Sequence, residues 1–103
     1  MRDLQEKVQE FCDTHNLNTT PESRLIDVVS ELGEVAKEIL VASNYGKNPL
    51  EKNEKIEMEI GDVVFSVIAL SNALGIDTEE ALEKVLIKYT ERAKKGSIGS
   101  EVE

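Results

Sequence analysis

The chain has 103 residues, 40 % of them hydrophobic, with 21 acids against 12 bases for a formal net charge of −9. That is enough for one domain with one core, too apolar for a disordered chain, and the wrong sign for holding a nucleic-acid polymer on a broad basic surface. No apolar run approaches the roughly 20 residues that span a bilayer, residues 1–6 have no signal-peptide core, and Cys12 as sole cysteine excludes an internal disulfide, so a cytoplasmic protein without a membrane partner is expected. An acidic balance still permits a small phosphate ligand, because divalent cations held by carboxylates bridge two negative partners.

In chain order, Leu4, Val8, Phe11 and Cys12 recur at i, i+4, i+7, i+8 and predict a first helix over 3–14. Thr20-Pro21 reads as an N-cap followed by proline at the first helical position, opening a second helix that runs to Ala42. Gly33 lies inside it and costs up to about 1 kcal/mol there, so close packing or a close approach to the backbone is expected at that point. The stretch 43–48 is dense in turn formers. Asn48-Pro49 with Glu51 has the form of a capping box, which predicts a third helix from there to Ala73 or Leu74. From Val63 to Leu70 this helix is nearly all apolar, so that half should be the most buried part of the protein. Gly75 stops it. Asp77 with Glu80 caps a fourth helix over 78–94, striped by Leu82, Val85, Leu86 and Tyr89. Residues 96–103 read as a mobile tail after a single domain over 1–95. With no period-2 strand pattern, the reading is an all-α four-helix bundle, completed by packing across a subunit interface.

Acids sit where these helices turn inward. Glu31 with Glu34, and Glu59 with Asp62, are each three residues apart and so share a face about one turn apart. With Glu31 at 0° on a wheel of about 100° per residue, Asp27, Glu34 and Glu38 fall about 40°, 60° and 20° to one side, while Val35 and Val28 begin the apolar arc on the other. Glu59 and Asp62 share a similar stripe with Lys55 and Ser66. One such pair is common on any Glu-rich solvated helix. Two pairs on helices expected to be antiparallel neighbours, both bordering the apolar arc, need a positive partner. Oxygen donors without Cys or His suit Mg²⁺ or Mn²⁺ rather than Zn²⁺. A helical di-iron site would want Glu-x-x-His pairs, and the sole histidine, His15, is in a loop-like stretch and reads as a surface residue. Cys12 shows no partner for nucleophilic chemistry and reads as a core thiol, and there is no glycine-rich phosphate loop.

At Ser30-Glu31-Leu32-Gly33-Glu34 and Glu59-Ile60-Gly61-Asp62, and in the words around them, the chain resembles the MazG-like all-α nucleoside triphosphate pyrophosphohydrolases, from about Phe11 to Arg92. The resemblance implies a Mg²⁺-dependent hydrolase that cuts between the α- and β-phosphates, giving a nucleoside monophosphate and pyrophosphate. Glu31, Glu34, Glu59 and Asp62 would then be metal ligands and catalytic carboxylates. Lys84, Lys88 and Arg92, on the last helix, would meet the substrate's phosphates. A homodimer or homotetramer, with the pocket lined from more than one subunit, is implied too. Three positions depart from the family pattern. Ser30 replaces an acid, with Asp27 or Glu38 available to contribute. Tyr89 stands where many relatives have Asn, and Leu17 where many have Trp, so the preferred base does not carry over. The readings that compete with an enzyme are a helical interaction module whose acidic stripes pair with a partner's Lys and Arg, and a relative that binds nucleotide without cleaving it.

Overall fold

The structure is a computed structural model that describes residues 2–96. Its elements are α1 (Arg2–Thr14), α2 (Pro21–Ala42), α3 (Glu54–Leu74) and α4 (Thr78–Lys94), with no strand among the described residues. The expected tail over 96–103 lies outside them apart from Gly96, which closes α4 at φ +83°.

Capping decides most helix ends. Thr20 Oγ1 accepts from the Ser23 N–H with Pro21 following it, and Asp77 Oδ1 accepts from the Glu80 N–H, as the sequence predicts. Gly75, at φ +70°, ends α3 in the left-handed conformation that costs glycine little.

One boundary moves. The third helix begins at Glu54, not at Pro49, because Asn53 rather than Asn48 is its cap, accepting from the Ile56 N–H at 2.8 Å. A capping box at Asn48 would need the Asn48 N–H for Glu51. That N–H instead donates to the Ser43 carbonyl, closing the turn after α2. Asn44, Tyr45 and Gly46 all take positive φ in this turn, and the buried Ser43 hydroxyl ties it by donating to Ile39 O and accepting from the Gly46 N–H.

Helices α2 and α3 pack antiparallel along most of their length, and α1 packs on another side of α3. The fourth helix leaves the third at 101° and meets the rest of the chain chiefly through α1. The joint there is polar. The Gln5 side chain donates to Asn72 Oδ1 and Ile76 O and accepts from the Thr78 N–H, and Asn72 Nδ2 donates back to Gln5 O.

The apolar interior is small: Cys12, Ile68 and Ala69 are its buried members. The expectation that the whole 63–70 stretch is the most buried part is met on one face only. Ser66, Ile68 and Ala69 are buried, but Val64 and Val67 remain 43 % and 37 % exposed, because α1 and α2 cover only two sides of α3. Gly33 also differs from expectation. Nothing lies within 4 Å of where its Cβ would stand, so no close packing occupies it within the chain.

Candidate metal centre

The pairing of α2 with α3 sets what faces what. Lys55 Nζ lies 3.5 Å from Glu38 Oε2, which marks an antiparallel register in which Glu31 stands level with Asp62. Carboxylate oxygens of Glu31, Glu59 and Asp62 accordingly lie within 4.8 Å of one another, the two glutamates half-buried and Asp62 exposed. Glu34 is outside this trio yet close enough to act on it. Desolvation pushes the Glu31 carboxyl above its usual value, and the charge of Asp62, a hydrogen bond with it, and the charges of Glu34 and Asp27 push the same way. Glu59 is raised by desolvation, then by its hydrogen bond with Asp62 and by the charges of Asp62, Glu34 and Glu31.

The flanking acids are already matched. Asp27 lies 3.7 Å from Arg24, and Glu38 is held by Lys55. On α4, Lys84 pairs with Glu80 and Lys94 with Glu91, and neither pair takes Glu31, Glu34, Glu59 or Asp62. Three hard oxygen donors converging with no paired lysine or arginine among the described residues, two of them desolvated, fit a divalent metal. They offer no sulfur or nitrogen donor for zinc.

With that arrangement in view, the comparison with known families is decisive: the MazG nucleotide pyrophosphohydrolase domain matches residues 19–97. The chain belongs to the MazG family. Membership makes it a hydrolase, a nucleotide pyrophosphohydrolase. It is 35 % identical over 98 residues to YpjD of Bacillus subtilis, covering 91 % of this chain and 86 % of that one. Over 68 residues it is 40 % identical to the nucleoside triphosphate pyrophosphohydrolase/pyrophosphatase MazG of Thermotoga maritima, covering 66 % of this chain but only 24 % of that longer protein. The crystal structure of B. subtilis YpjD superposes with a TM-score of 0.72 at 34 % identity, over 86 % of this chain and 91 % of that one. A Bacillus-conserved MazG protein, a nucleotide pyrophosphohydrolase, gives 0.71 at 30 % identity, over 85 % and 86 %.

The bases expected at the phosphates stand elsewhere in the chain. Lys84, Lys88 and Arg92 fall within an arc of about 80° on α4, but α4 packs chiefly on α1 and does not border α2 appreciably. Lys84 pairs with Glu80, and Lys88 and Arg92 lie 5.1 and 5.9 Å from the centre of the Tyr89 ring. Two features were not legible in the sequence. Arg24 is buried, donating to Leu17 O and lying 3.5 Å from Cys12 Sγ, and so ties the α1–α2 loop to both helices. The Gln5–Asn72–Thr78 joint is the other. A lone Arg at the head of an apolar helix was a faint signal for the first, and a mid-helix Gln gave none for the second.

Proposed function

We propose that this MazG-family chain hydrolyses nucleoside triphosphates between the α- and β-phosphates with Mg²⁺, Mn²⁺ being an alternative, and releases a nucleoside monophosphate and pyrophosphate. The supporting observation is the convergence of Glu31, Glu59 and Asp62 with no lysine or arginine paired to them among the described residues. Glu31, Glu59 and Asp62 are the ligands, with Glu34 at the edge of the group. The divalent cation supplies neutralisation of phosphate oxygens and activation of a water for attack. One carboxylate of the group would orient that water or accept its proton. Lys84, Lys88 and Arg92 bind phosphate from the α4 of an adjacent copy, which places α4 within reach of a site its own chain does not bring to it.

The assembly is a homodimer or homotetramer. On α2, Leu25, Val29, Leu32 and Leu40 form an exposed apolar stripe on the side away from the acids, with Gly33 among them. On α3, Ile60, Val64, Val67 and Leu74 do the same. A helix that is apolar on two sides is one that packs on two sides. The domain over 1–95 acts in the cytoplasm, clearing surplus or non-canonical nucleotides. No single described helix is long and apolar enough to cross a membrane.

The experiment is release of pyrophosphate from a panel of canonical, deoxy and modified triphosphates with Mg²⁺, beside a Glu59→Gln, Asp62→Asn double variant. In ¹⁸O-labelled water the label should enter the monophosphate or the pyrophosphate and not inorganic phosphate. Silence across the panel together with a melting temperature indifferent to Mg²⁺ would favour a non-enzymatic interaction module; silence with a Mg²⁺ response would favour a binding-only relative.

A further inference from the structure

The fourth helix carries the bases assigned to the phosphates, yet apolar packing does not hold it in place. None of its residues is buried, and Leu82 and Leu86 of its stripe are each 53 % exposed. It leaves α3 at 101° after the short link Gly75-Ile76-Asp77. One side chain from the other end of the sequence sets its direction instead. Gln5 Nε2, on α1, donates to Asn72 Oδ1 and to Ile76 O, each at 2.9 Å. Gln5 Oε1 accepts from the Thr78 N–H at 2.9 Å, and Asn72 Nδ2 donates to Gln5 O at 3.0 Å. A single amide thus grips the end of α3, the link and the first residue of α4.

The bond to Thr78 matters most for direction. Its N–H is one of the donors that the start of a helix leaves without an intrahelical partner, so Gln5 fixes the head of α4 itself and not the link alone. Three of the four bonds are partly buried, and Thr78 Oγ1 is shut off from solvent at the same place. Exclusion of water strengthens such bonds. A helix held at its head is a lever. At about 1.5 Å per residue, Lys84, Lys88 and Arg92 stand about 9, 15 and 21 Å from Thr78 along the axis. A tilt of about 10° at the joint would therefore carry them about 1.6, 2.6 and 3.7 Å sideways. Charge-assisted hydrogen bonds of about 2.7–2.9 Å do not survive such shifts.

The geometry points to Gln5 as a positioning residue that aims Lys84, Lys88 and Arg92 at the substrate's phosphates by fixing the angle between α3 and α4. The inference rests on the reading above that these bases hold phosphate, and goes beyond it by naming what aims them. It holds whichever copy's site they serve.

The test is a set of double-variant cycles read as kcat/KM for a triphosphate. Gln5→Ala should lower kcat/KM about 10- to 100-fold, since a misplacement of about 1 Å far from the chemistry has an effect of that size. In an Arg92→Ala background the same change should lose most of its effect, and in a Lys84→Ala background least, because coupling follows the length of the lever. Gln5→Glu keeps the acceptor for the Thr78 N–H and forfeits both donors, so it should fall between parent and Gln5→Ala. The Mg²⁺-dependent rise in melting temperature should survive in Gln5→Ala, because the acids lie on α2 and α3; this separates a misdirected α4 from loss of fold. Unchanged kcat/KM in Gln5→Ala would overturn the role and give the direction of α4 to a neighbouring copy. Losses that multiply independently in every cycle would overturn it too, leaving Gln5 a structural residue only. No loss in Lys84→Ala, Lys88→Ala and Arg92→Ala taken singly would remove the phosphate reading, and the role of Gln5 with it. If the parent turns over no triphosphate, the hydrolase reading falls, and the same cycles are read on affinity for inorganic tripolyphosphate with Mg²⁺.

Discussion

At the scale of single residues, the acid cluster is a source of strain that the fold tolerates. Glu31 and Glu59 have carboxyls raised above their usual value, so the folded chain holds their protons more tightly than the unfolded chain does. Stability from that preference is present in full below the unfolded carboxylate value and is lost as pH rises through the raised one. At neutral pH in chelator, therefore, Glu59→Gln should melt higher than the parent, and the difference should shrink on acidification below about pH 4.5, the usual glutamate value. Adding Mg²⁺ should raise the parent's melting temperature and leave the variant's nearly unchanged. Thermal scans across pH, with and without Mg²⁺, check both. Arg24 is the opposite case, a buried cation whose donors are used by Leu17 O, Cys12 and Asp27. Arg24→Ala should cost roughly 1–3 kcal/mol, since the part-buried Leu17 carbonyl loses its donor. Arg24→Lys should recover only part of this, lacking the planar fork. Urea unfolding measures both.

At the scale of elements, caps settle where helices start, and α3 gives the clearest test. Asn53→Ala should lower stability by about 1 kcal/mol, while Asn48→Ala should leave the start of α3 unchanged. Amide exchange at 54–57 distinguishes the two. Sequence alone favoured Asn48 because Pro49 and Glu51 complete a better local pattern. The structure uses that Asn48 N–H in a tertiary turn with Ser43, three residues of which have positive φ. Local propensity lost to a hydrogen bond that pattern-reading does not see. The joint between α1 and α4 is similar. Gln5→Ala removes three side-chain hydrogen bonds at once and should raise the exchange rate at the head of α4 more than at α2.

At the scale of the whole molecule, the chain is open. Its radius of gyration is 16.6 Å, against about 13 Å for a compact domain of this length. Apolar stripes on α2 and α3 face outward, and Leu82 and Leu86 leave α4 in the same condition. If these surfaces are covered by a second copy, Val29→Glu with Val64→Glu should shift the protein to a single-chain mass in light scattering. The same change should abolish turnover if α4 serves a neighbouring site.

The sequence by itself determined the helices and the acid pairs, because both are set within a few residues: periodicity and caps for the first, i, i+3 spacing for the second. It also carried the family resemblance, which the match over 19–97 bears out. What only the tertiary structure decided is which acids converge. Glu31, Glu59 and Asp62 meet because α2 and α3, distant in sequence, pack antiparallel in the register that the Lys55–Glu38 pair marks, leaving Glu34 at the edge. The departure of α4 at 101° and the meeting of Phe11 with Phe65 are decided in the same way. Each depends on interhelical contacts, and no local pattern encodes how one helix lies against another.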